Sequence, residues 1–132
     1  MYEYRATLER VVDGDTVIMT IDLGMDVQLK HQNCRIAFCD TWESRTRDLE
    51  VKRKGLLAKA FTKEFLESAF ELRILSHEKG KYGRLLTSIM RYDEDGNQVD
   101  HEDNRSDKTL TDLLIENGHA VEYHGGTKTL KS

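Results

Sequence analysis

Three short stretches of the 132-residue chain carry side chains suited to metal and phosphate chemistry. Asp13-Gly14-Asp15-Thr16 is an acidic turn, and Arg35 leads an apolar run that ends in Asp40-Thr41-Trp42-Glu43. Gly80-Lys81-Tyr82-Gly83-Arg84 is a cationic turn. Carboxylates and main-chain carbonyls are oxygen donors for a hard cation. Arginine offers a phosphate a fork of donors that lysine lacks, and a glutamate near a cation can position a water. Taken singly, each stretch has a plainer meaning: Asp-Gly-Asp is a common turn, and strand ends carry Asp, Thr and Glu to cap the next element.

The elements that must hold these residues are legible from periodicity. Tyr4, Ala6 and Leu8 alternate with polar residues, and the run continues to Val12 before the Asp13-Gly14 turn signal. Val17, Met19, Ile21 and Leu23 alternate in a second strand, Gly24-Met25-Asp26 breaks it, and a third strand is expected over 27–40. Short turns between consecutive strands favour an antiparallel meander. From about Leu49 the period becomes helical, with Leu57, Ala60, Phe61 and Phe65, beside Leu56, Leu66 and Ala69, as the expected apolar stripe. Two strands come next over 71–77 and 84–92, then a polar loop at Asp93–Gly96. A short helix succeeds them, with Thr109 or Thr111 as N-cap, Leu110, Leu113 and Leu114 as apolar face, and Gly118 as stop. The order predicts a mainly β chain with helices (α+β): a five-stranded OB-type Greek-key barrel, one helix between strands three and four, and a short helix after strand five.

Composition sets the bounds. One domain over 1–132 is expected, with 38% apolar residues, 24 acids against 20 bases and a net charge of −4. No apolar run is long enough to span a bilayer, and Met1-Tyr2-Glu3-Tyr4-Arg5 reads as no secretory signal, so a cytoplasmic protein without a membrane partner is expected. Cys34 and Cys39, five apart on the expected third strand, fall on opposite faces, which argues against a disulfide or a zinc site. The negative charge is unevenly spread. Residues 45–63 hold seven bases against two acids, whereas 93–107 hold seven acids against one base. Local fields rather than net charge govern the approach of a polyanion. Asp93-Glu94-Asp95-Gly96 with Glu102 imitates part of a calcium-binding EF-hand loop, but that register puts Arg91 at the first ligand position. A solvated, mobile acidic loop is the expectation instead.

Together and in this order, Val12-Asp13-Gly14-Asp15-Thr16-Val17, Arg35 with Asp40-Thr41-x-Glu43, and Lys81-Tyr82-Gly83-Arg84 resemble the signature stretches of the staphylococcal (thermonuclease-like) nuclease family. Ala60-Phe61-Thr62-Lys63 is similar too, and the likeness runs from about Ala6 to Tyr123. The resemblance implies an OB-type barrel with helices that hydrolyses DNA or RNA to 3′-phosphorylated products with one calcium ion. It implies Asp15 and Asp40 as metal-binding carboxylates and Thr41 as a carbonyl ligand. Glu43 takes the place of the proposed general base, and Arg35 and Arg84 those of the guanidinium pair on the scissile phosphate. Lys81, Tyr82 and either Tyr123 or His124 match positions that contact bound nucleotide, while Asp13 reads as a turn former or as support for Asp15.

The chain departs from the family at Trp42, where proline is usual, and at an acidic insertion over about 93–108. A tail over 125–132 stands where family members often carry a further helix, and a homodimer would compensate for that coverage. The alternative to a nuclease is a non-catalytic OB-type module that binds nucleic acid or protein.

Overall fold

A computed structural model describes residues 2–79 and 83–124. Strands β1 (Tyr2–Asp13), β2 (Thr16–Gly24) and β3 (Val27–Ile36) form the meander that the alternation predicts, with Val17, Met19 and Ile21 turned into the core. The chain then turns at Ala37-Phe38, and β4 (Cys39–Thr41) starts a new element. The expected single strand over 27–40 is therefore two, because Phe38 adopts a left-handed backbone at φ 69°. Cys34 and Cys39 do not share a strand, and both enter the same core cluster as free thiols.

Helix α1 (Leu49–Glu67) is capped by Asp48, whose side chain accepts from the amides of Glu50 and Val51. It is followed by β5 (Glu71–Lys79), β6 (Leu85–Tyr92), the short β7 (Gln98–Val99), helix α2 (Leu110–Glu116) and β8 (Ala120–Glu122). β5 pairs with β1 and β6, and β6 returns to run parallel to β3, Cys34 beside Leu85 and Ile36 beside Thr87. That pairing closes the order β3-β2-β1-β5-β6 into a five-stranded barrel of the OB type. β4 and β8 form a separate two-stranded sheet against it. No described helix is long and apolar enough to cross a membrane.

Of the expected stripe Phe65 and Leu66 are buried and Phe61 and Ala69 pack against the core, but Gly55, Ala58 and Thr62 take the buried positions nearer the start of α1 in place of Leu56, Leu57 and Ala60. Leu56 and Leu57 stay half exposed and Ala60 is exposed. Small residues win that face because the helix comes close to two turns of the chain. A Cβ on Gly14 would meet Ala58 Cβ at 3.1 Å, and Thr62 Oγ1 donates to the Gly14 carbonyl at 2.7 Å.

α2 starts at Thr109, which forms a reciprocal capping box with Asp112, whereas Thr111 is buried and donates to the Ala37 carbonyl at 2.6 Å. The acidic insertion is built from two hydrogen-bonded turns. Asp93 and Asp100 each accept two amides of their own turn, from Asp95 and Asn97 and from Glu102 and Asn104, with Gly96 and Asp103 left-handed. Two successive hairpins result, seven residues apart. Arg91, 3% exposed, pins them by bonding Asp103 at 2.6 Å while donating to the Phe65 carbonyl at the end of α1.

Candidate active site

Asp15, Arg35, Asp40 and Thr41 come together from the β1–β2 turn, the end of β3 and β4, and all four are buried. The β1–β2 turn is fixed by Asp13, whose Oδ1 accepts the Gly14 amide at 3.0 Å, so Asp13 acts as the turn former. Asp15 then faces across to β4, where its Oδ2 accepts the Thr41 amide at 3.2 Å, and its Oδ1 accepts the Thr16 hydroxyl. Arg35 Nη1 lies 2.9 Å from Asp15 Oδ2, and Nη2 lies 3.8 Å from Asp40 Oδ1 and donates to the Cys39 carbonyl at 3.1 Å. One guanidinium thus bridges two carboxylates that water barely reaches. Such a group costs several kcal/mol to bury unless geometry and hydrogen bonds offset it, and here β3, β4 and the β1–β2 turn supply both.

The field of these carboxylates reaches Cys39, whose thiol is pushed up to about 12, first by burial and then by Asp15. Arg35 and Thr111 oppose that shift in part. Burial alone raises Cys34 to about 11. At these values the thiol, not the thiolate, is the form favoured at neutral pH for both cysteines.

Glu43 follows β4 by two residues, half-buried, with no side-chain hydrogen bond among the described residues. Its backbone is held by α1: a Cβ on Gly55 would stand 2.3 Å from the Glu43 carbonyl carbon and oxygen and 2.6 Å from the Ser44 amide. Gly55 therefore sets how near the Glu43 segment approaches the helix. Trp42, beside it, lies under the Lys54 ammonium at 4.5 Å.

Arg84 stands one residue before β6 and two before Leu86, the parallel partner of Arg35. It is half-buried and forms no ion pair among the described residues, so it is not drawn into the Asp15–Arg35–Asp40 cluster. Lys81 and Tyr82 lie outside the described residues. Tyr123, just past β8, donates its amide to the Phe38 carbonyl and sets its ring 5.8 Å from the Arg35 guanidinium. Tyr123 rather than His124 thus faces Arg35.

Beside Arg35 opens a groove of about 740 Å³ whose lining includes Tyr2, Phe38, His77, Tyr123 and His124. Phe38 stacks edge-on to His77 at 5.0 Å and tilts toward His124 at 5.8 Å. Sequence reasoning missed this aromatic wall, since its members come from four separate segments. It also missed Gly55, although an isolated glycine inside a helical pattern marks close packing.

Asp15, Asp40 and the Thr41 carbonyl are all oxygen donors, the set that a hard cation such as calcium or magnesium takes, with water and phosphate oxygens completing its shell. Among the described residues no three His, Cys, Asp or Glu side chains cluster as a metal site, and Asp15 Oδ2 is paired with Arg35. Compared with known proteins, the chain matches no family model and no curated protein.

Proposed function

We propose that the chain is a metal-dependent nuclease of the staphylococcal type, hydrolysing phosphodiester bonds of DNA or RNA. The observation that carries this reading is the bridging of Asp15 and Asp40 by Arg35 at the edge of an aromatic groove. A phosphodiester offers an anion for the guanidinium and a base for the rings, and base–aromatic stacking is worth about 1–3 kcal/mol per base.

Asp15, Asp40 and the Thr41 carbonyl would hold calcium, which supplies Lewis-acid polarisation of a phosphoryl oxygen when bound. The chain's own residues do the rest. Arg35 turns its forked donors to the phosphate and stabilises the charge that builds as water attacks, a contribution of about 10²–10³ in rate for a donor of this kind. Arg84, one strand away, supplies the second guanidinium. Glu43 accepts a proton from the attacking water, worth about 10²–10⁴. A bond forms between that water oxygen and phosphorus, the bond from phosphorus to the 5′-oxygen breaks, and a proton passes to the leaving oxygen. The products are a 3′-phosphate and a 5′-hydroxyl. Tyr123 and Phe38 flank the base of the nucleotide held at Arg35.

The test is digestion of single-stranded DNA, duplex DNA and RNA with calcium and with a chelator, with Glu43→Ala and Arg35→Ala alongside. Cleavage that needs calcium and falls in both variants supports the reading. Binding of these substrates without cleavage under any divalent metal would favour a non-catalytic binding module.

A further inference from the structure

The seven bases of residues 45–63 are not equivalent once folded. Arg53 and Lys54 engage Glu50 at 2.9 and 4.0 Å, and Lys54 also covers Trp42. Lys52, Lys59 and Lys63 form no ion pair among the described residues, with Lys52 and Lys63 exposed and Lys59 half-buried. Seven and four residues apart, they fall on one line along α1, within about 40° of each other and roughly 16 Å from end to end. Gly55, the residue pressed against the Glu43 backbone, lies three positions after Lys52 and four before Lys59, so these two lysines flank that contact. Phe61, on the opposite side of the helix, packs against His101 at 5.0 Å, and Arg91 ties Asp103 to the helix end. The acidic hairpins are thereby fastened away from the lysine line.

We propose that Lys52, Lys59 and Lys63 form a phosphate track that carries a nucleic-acid backbone along α1, away from Glu43. The partner's identity rests on the nuclease reading; the track itself is an electrostatic feature of the helix. Three cations in line, without ion pairs among the described residues, next to the segment bearing Glu43 and screened by the helix from seven acids, suit a polyanion bound without regard to sequence. Leu49, Leu56 and Leu57 are exposed on the neighbouring face, the composition of a helix lying on an anionic membrane. The lysine line is favoured over that use because it begins at the Glu43 contact.

The test is binding of a fluorescein-labelled 24-nucleotide single strand to the full chain in chelator, at several salt concentrations. Wild type is compared with Lys52→Gln/Lys59→Gln/Lys63→Gln, the matching triple arginine variant, and Lys30→Gln/Arg105→Gln. Each phosphate neutralised on a single strand contributes about 0.7 to the slope of log K against log salt, so the glutamine triple lowers it by about 2. The arginine triple keeps the wild-type slope, and so does the Lys30 and Arg105 pair. An unchanged slope in the glutamine triple overturns the track, as does an equal drop in the control pair or no binding by wild type. Loss of binding to phosphatidylserine vesicles with the oligonucleotide slope intact assigns the face to a membrane and overturns it too. Cleavage of the same strand with calcium is scored separately. A track-dependent slope in a chain that cleaves nothing keeps the track and removes the nuclease; cleavage with an unaltered slope does the reverse.

Discussion

Arg35 Nη1 lies 2.9 Å from Asp15 Oδ2 in a pocket where the two side chains are 7% and 2% exposed. The same guanidinium reaches toward Asp40, so its charge serves stability and the proposed chemistry at once. Removing one partner of a buried ion pair costs about 3–5 kcal/mol, because the remaining charge is left in a poor solvent. Arg35→Ala is expected to lose stability on that scale, measured by urea unfolding. Arg35→Lys keeps the charge but not the fork, and is expected to retain most stability while losing about 10²–10³ in kcat.

Gly55→Ala separates packing from helix propensity. In an exposed helix the change would stabilise by about 1 kcal/mol. Here the new methyl would stand 2.3 Å from Glu43 backbone atoms, which cannot rotate out of its way. The expected outcome is destabilisation by about 1–3 kcal/mol, with turnover reduced because Glu43 is displaced. Unfolding and steady-state kinetics on the one variant check both.

Much of this arrangement is legible in the sequence and some of it is not. Alternation at Val17, Met19 and Ile21 marks the strands, because one face of a barrel strand is buried and the other is not. The break at Phe38 leaves no such mark. Residues 34–39 are apolar but for Arg35, and a left-handed phenylalanine is imposed by the surrounding fold rather than announced by residue type. The resemblance singles out Asp15, Arg35, Asp40 and Thr41, and they meet in space. It singles out Arg84 on the same footing, but no ion pair draws that residue in among the described residues. Leu66 of α1 is buried as its spacing predicts, but Leu56 and Leu57 mislead because small residues there allow close approach to the Gly14 and Glu43 segments. The polar loop at Asp93–Gly96 is legible in the sequence, whereas the second turn, closed by Asp100 on the Asn104 amide, and the anchoring on Arg91 are not.

Stability is expected to fall on mild acidification. Burial holds the pKa of His119 and of His77 below the ordinary 6.5. The unfolded chain therefore takes up protons first as pH falls, so their contribution is full above about 6.5 and is lost below it. Glu9, Glu50 and Asp93 are held below the usual carboxylate values and act only at lower pH. Urea unfolding at pH 7.5 and 5.5 should show a drop that shrinks in His77→Gln/His119→Gln.

Calcium should raise Tm in wild type and not in Asp15→Asn/Asp40→Asn. A ligand at one hundred times its Kd stabilises by about 2.7 kcal/mol, which a thermal melt resolves. An equal shift in the double variant would move the ion elsewhere on the chain.

The most direct measurement is cleavage of a 5′-labelled single strand with calcium in ¹⁸O-enriched water, with wild type and Glu43→Gln in parallel. The expected result is fragments ending in 3′-phosphates that carry one ¹⁸O, formed at least about 10²-fold more slowly by Glu43→Gln. An intact strand under calcium, or cleavage undiminished in Glu43→Gln, would contradict the assignment of this pocket to phosphodiester hydrolysis.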